Sequence, residues 1–181
     1  MLFRSHVKNG IYGARWVAAM LAAAAVESDV CRVLEIGLTE IPGRSRLAEA
    51  VREVRGWAAA GVDYHAAVAR VHARWDENQA HDWCHVIANA QVVALGLLYG
   101  DGDFERAVTR AVYPGFDTDC NGATVGSLMG MLLGAAALPR KWTAVLHDRL
   151  RTGLSGFASA RISALGRELF ALSRAVRARP A

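Results

Sequence analysis

Asp117 and Asp119 stand two residues apart in the run Gly115-Phe-Asp-Thr-Asp-Cys-Asn-Gly122, which leads straight into an uncharged, mostly apolar stretch. Carboxylate oxygens are hard donors, and a pair of them at the start of a rigid element suits Mg²⁺, Mn²⁺ or Ca²⁺. The spacing also admits a plainer role, with Asp119 as the N-cap of a helix and Asp117 as a solvated turn residue. Local spacing leaves both open. The order Asp117-x-Asp119-x-Asn121-Gly122 reproduces the opening of an EF-hand calcium loop as well. Such a loop requires a bidentate Glu at its twelfth position, which here is Leu128, and its ninth is Val125. An EF-hand is thereby excluded. Glycines at 122, 126, 130 and 134 fall four apart instead, a smooth ridge against which a neighbouring helix can pack closely.

Other residues with chemical capacity are scattered. His6 lies near the N-terminus, and His85 and Asn89 sit one helical turn apart, placed either to line a cleft or to make a polar contact between helices. His65, His72, His81 and His147 have no recognisable partners in the sequence. Trp142 follows Pro139 at what reads as a helix start. The three cysteines, Cys31, Cys84 and Cys120, are odd in number and lack CxxC spacing, which argues against a disulfide framework or a zinc site and for a reducing cytoplasm.

These residues must be positioned by helices. Apolar spacing and turn signals predict helices over 8–27, 29–39, 45–60, 63–76, 83–99, 103–112, 120–136, 140–151 and 159–177. Asp63, Asp103 and Ser45 occupy N-cap positions, and Pro42-Gly43, Gly100-Asp-Gly102 and Pro114-Gly115 punctuate the gaps. No internal repeat or long linker divides the 181 residues. A composition 53% hydrophobic, rich in alanine and with four prolines, favours one all-α domain packed through small side chains.

Composition also limits the partners. The net charge of +4 is mild, and the late arginines 161, 167, 174, 177 and 179 read as a solvated helix face without the aromatic interleaving of a nucleic-acid surface. The longest uncharged run, 120–139, contains Asn121, Thr124, Ser127 and four glycines and ends in proline, so it reads as a core helix rather than a membrane span. Neither nucleic acid nor membrane is expected as a partner.

The acidic turn, its glycine-ridged helix and Leu138-Pro139-Arg-Lys-Trp142 together resemble the ADP-ribosylglycohydrolase family. Ser5-His6-Val-Lys-Asn9-Gly10, Ile41-Pro-x-x-Ser45-Arg-Leu-Ala-Glu-Ala, Trp83-Cys-His85-x-x-x-Asn89-Ala90 and Leu98-Tyr-Gly-x-Gly-Asp103-Phe-Glu fit the family in order. The resemblance implies an orthogonal multi-helix bundle that hydrolyses ADP-ribosylated substrates through a binuclear Mg²⁺ or Mn²⁺ centre. Asp117 and Asp119 match two of its ligands, and Cys120 stands where the family usually has a Thr hydroxyl. A thiol suits these hard ions poorly. His6, Gly115 and Asn121 are the implied substrate contacts, with Asn121 also placed to orient a carboxylate.

In the family a Glu and a Thr-Asp-Asp cluster precede the Thr/Ser-His segment, whereas here that segment opens the chain and no Asp-Asp pair occurs. The expectation is therefore that residues 1–181 are the C-terminal half of a single domain, incomplete at its N-terminus. Its catalytic residues would lie in the absent half and a complementing N-terminal half would be a partner. The alternative is a catalytically dead remnant or a helical binding or scaffold module.

Overall fold

Short polar side chains begin many of the helices. The structure, a computed structural model, describes residues 7–177. Its helices are α1 (Asn9–Ala24), α2 (Val30–Thr39), α3 (Arg46–Ala59), α4 (Tyr64–His72), α5 (Val86–Leu98), α6 (Phe104–Val112), α7 (Thr118–Leu133), α8 (Arg140–Thr143) and α9 (Ile162–Arg177). Asp29, Ser45, Asp63 and Asp103 each accept a backbone N–H in the first turn of α2, α3, α4 and α6. Each such bond satisfies a donor that the helix itself leaves unpaired. The fold is all-α, a multi-helix bundle as expected, and one two-stranded ribbon is the only strand pairing among the described residues. Among the same residues no helix is long and apolar enough to cross a membrane.

The chain forms two compact units, divided between Ala137 and Leu138. In the first, α5 is apolar nearly all round and buried from Ile87 to Leu97 except at Asn89, the pattern of a helix enclosed by others. It contacts α1, α2, α3, α4, α6 and α7. Trp16, Met20, Leu34, Leu47, Leu95 and Leu128 form the bulk of the surrounding core.

Close approach is achieved on α1, on α2 and at and just beyond α5 more than on the predicted ridge of α7: a Cβ at Gly13 would stand 2.5 Å from Val86 Cγ2 and one at Gly37 2.6 Å from Met20 Cγ. A Cβ at Gly96 would stand 2.8 Å from Ala111 Cβ and 2.9 Å from the Ala107 carbonyl oxygen, and one at Gly100 would stand 2.6 Å from Ala107 Cβ. On α7 only Gly122 is comparably confined, by Val112 at 3.1 Å, while Gly130 and Gly134 face no atom within 4 Å. The ridge thus serves α6 at its first turns only.

The second unit departs most from expectation. A helix was predicted over 140–151, but α8 is four residues long and gives way to a 3₁₀ turn, Ala144–Leu146. His147 and Asp148 then adopt positive φ of 49° and 54°, which ends helical geometry. Strand β1 (Arg149–Arg151) pairs antiparallel with β2 (Ser159–Arg161), with Leu150 opposite Ala160. Asp148 secures the ribbon to α9 by accepting the Ser163 hydroxyl at 2.7 Å, the Ser163 N–H at 2.8 Å and Arg161 Nε at 2.9 Å. Those Ser163 bonds first, then Arg161, hold its carboxyl down to about 2.

Candidate metal centre

The turn between α6 and α7 is built on two consecutive left-handed residues, Gly115 at φ 78° and Phe116 at φ 61°. Glycine adopts this region freely, but an aromatic residue there carries backbone strain on the order of 1–3 kcal/mol that its surroundings must offset. Phe116 is buried, 8% exposed, and its ring stacks on His72 with centroids 5.1 Å apart. The chain then enters α7 with Asp117 at the N-cap position and Asp119 in the first turn. The simple capping role does not hold. Asp117, not Asp119, occupies the cap, and its side chain makes no capping bond. Both carboxylates are left at the positive end of a helix, which favours negative charge and leaves their oxygens available.

Asn89 locks this turn to α5. Its Oδ1 accepts the Asp117 backbone N–H at 3.1 Å and Asn121 Nδ2 at 2.6 Å. Its Nδ2 donates to the carbonyls of Trp83 at 3.0 Å and His85 at 3.1 Å. Asn121 is itself 2% exposed, so that bond satisfies a buried amide. Of the two roles open to Asn89 in the sequence it fills both, lining a cavity and joining two helices. His85 caps α5 by accepting the Ile87 N–H through Nδ1 and stacks on Trp75 at 4.5 Å. Burial, then His81 and Arg46 nearby, pushes its pKa below 6.5, in keeping with a ring nitrogen that accepts.

Asp117, Asp119 and Cys120 each bring a ligand-type atom to within 4.8 Å of the others. Among the described residues no Lys, Arg or His forms an ion pair with either aspartate. Two unpaired carboxylates fit a hard divalent cation. The thiol adds little to that fit, being a soft donor beside hard ones; its hydrogen bond to Asp117, then burial and the two carboxylate charges, raises the Cys120 pKa.

Beside the turn lies a cavity of about 610 Å³. Asp117, Cys120 and Asn121 form its polar end, and α1 and α5 supply an apolar wall that includes Gly13, Val17 and Val93. Gly115 lines a separate cavity of about 530 Å³ with His72 and Glu77. His6 lies outside the described residues. Sequence alone singled out Asn89 but not its partners Asp117 and Asn121, and it missed the His72 stack, because these groups are brought together only by packing of α4, α5 and α7.

The family model for ADP-ribosylglycohydrolase matches residues 5–178. No curated protein and no solved structure matches. Because the match spans nearly the whole chain, it does not bear out the expectation of a C-terminal half only. This chain, an all-α bundle matched almost end to end by that model, belongs to the ADP-ribosylglycohydrolase family, whose membership implies glycohydrolase activity on ADP-ribosyl compounds.

Proposed function

We propose that the chain hydrolyses the glycosidic bond of ADP-ribosylated substrates with Mg²⁺ or Mn²⁺, two ions in the complete site, held in part by Asp117 and Asp119. The observation that carries this is the acidic turn itself, two carboxylates free of cationic partners and grouped within 4.8 Å with Cys120. Such cations, when bound, supply Lewis-acid polarisation of ribose hydroxyls and of an attacking water. The protein's part is to fix the ligands before substrate arrives. Asn89 holds the Asp117 backbone and Asn121 in one arrangement. The cavity of about 610 Å³ beside Asp117 offers room for part of the substrate. Three exposed, unpaired cysteines support a reducing, cytoplasmic setting for this chemistry.

The test is ADP-ribose release from an ADP-ribosylated substrate with Mn²⁺ present. Asp117→Asn and Asp119→Asn should each lower it by about a hundredfold or more while leaving the thermal midpoint nearly unchanged. Undiminished turnover in either variant would remove that aspartate from the site.

A further inference from the structure

Glu77, His72 and Phe116 form a chain of contacts that ends one residue before Asp117. His72 Nδ1 lies 2.8 Å from Glu77 Oε2, and the histidine ring stacks on Phe116 at an interplanar angle of 27°. The Glu77 stem lies against Gly115, its Cγ 3.3 Å from where a Cβ would stand. One glutamate therefore closes the space beside the first left-handed residue and fixes the ring that covers the second. Both side chains are only partly exposed, 30% for His72 and 36% for Glu77, so each contact is made against protein rather than in open water.

We infer that His72 is a positioning residue for the metal centre, holding Phe116 in its left-handed conformation so that Asp117 faces the cavity. This rests on the reading of Asp117 and Asp119 as cation-holding residues. Phe116 gains about 1–3 kcal/mol of backbone energy by leaving positive φ. The stack on His72 opposes that relaxation. Should Phe116 relax, the peptide joining it to Asp117 rotates and the Asp117 N–H leaves Asn89 Oδ1, taking the carboxylate with it. Helix α4 thereby acts on a site to which it contributes no ligand, and Glu77 acts through the histidine.

Mn²⁺ titration of the intact protein tests this, followed by the paramagnetic signal of free Mn²⁺. His72→Ala should weaken binding about tenfold, the lower end of what loss of a supporting contact costs a metal site. His72→Phe keeps a ring against Phe116 and should recover to within about threefold of wild type. Glu77→Ala should weaken binding as His72→Ala does, and the double variant no further, since residues that act as a unit are not additive. Val71→Ala, a core change on the same helix, should lower the thermal midpoint without altering Mn²⁺ affinity, which separates positioning from general destabilisation. Unchanged affinity in His72→Ala, with wild type binding Mn²⁺ normally, overturns the role of His72 and leaves the metal reading intact. Absence of Mn²⁺ binding by wild type overturns both.

Discussion

At the scale of single residues, the acidic turn depends on side chains other than its own carboxylates. The Asn89 amide has all its capacity engaged, two bonds accepted and two donated, and every one is local to the site or to its supporting loop. Asn89→Ala should destabilise the fold by about 1–3 kcal/mol, because the Asn121 amide is left buried without a partner. It should also weaken Mn²⁺ binding by roughly 10–100-fold, as the Asp117 backbone loses its tether. Denaturant titration and Mn²⁺ titration of the same variant measure the two effects, and an unaltered affinity would show that the turn holds itself. Cys120 makes the opposite case. Its thiol sits among hard donors as a soft, weak one, so Cys120→Thr should retain activity and bind Mg²⁺ or Mn²⁺ more tightly. Weaker binding in that variant would assign the sulfur some other part. Asp117, Asp119 and Cys120 could be read from the sequence because they are neighbours in it. Asn89 lies 28 and 32 residues from its partners, and no local pattern announces such a bond.

At the scale of elements, legibility follows the same division between local and distant causes. Ser45, Asp63 and Asp103 begin their helices as read, because an N-cap is decided by a side chain and the next three residues. The stretch 140–161 was not legible, since its ribbon depends on Asp148 meeting Ser163 fifteen residues later. Nor was the meeting of α5 with α6, where Gly96 and Gly100 matter through Ala107 and Ala111 and the more conspicuous glycines of α7 matter less. The start of α5 has a pH dependence of its own. His85 caps through an unprotonated Nδ1, and its folded-state pKa lies below the ordinary 6.5. Protonation therefore favours the unfolded chain, so the contribution is whole above pH 6.5 and is lost as the pH falls below it. His85→Asn supplies a cap that does not titrate. Urea midpoints at pH 7.5 and about 5.5 should fall further for wild type than for the variant. Equal losses in both would mean that the cap does not sense pH.

At the scale of the whole molecule, the proposed metal site, assembled only on folding, would couple metal to stability. Asp117 and Asp119 share one turn, yet their arrangement draws on α4 through His72, on α5 through Asn89 and on α7 through Asn121, all before the division at Leu138. The unfolded chain retains the two carboxylates without that arrangement and should bind Mn²⁺ far more weakly. Free Mn²⁺ at a hundred times its dissociation constant then adds about 2.7 kcal/mol to stability. For a protein of this size that is a rise in thermal midpoint of roughly 5–10 °C. Asp117→Asn should lose the rise while keeping nearly the wild-type midpoint without metal, since the side chain it alters makes no capping bond. Asp148→Asn makes the complementary control. It removes a charged acceptor that serves Ser163 and Arg161 in the second unit, so it should loosen the ribbon at neutral pH and leave the Mn²⁺-dependent rise intact. Calorimetry of the three proteins with and without Mn²⁺ decides the matter. A rise of equal size in wild type and Asp117→Asn would place the stabilising ion somewhere other than the acidic turn.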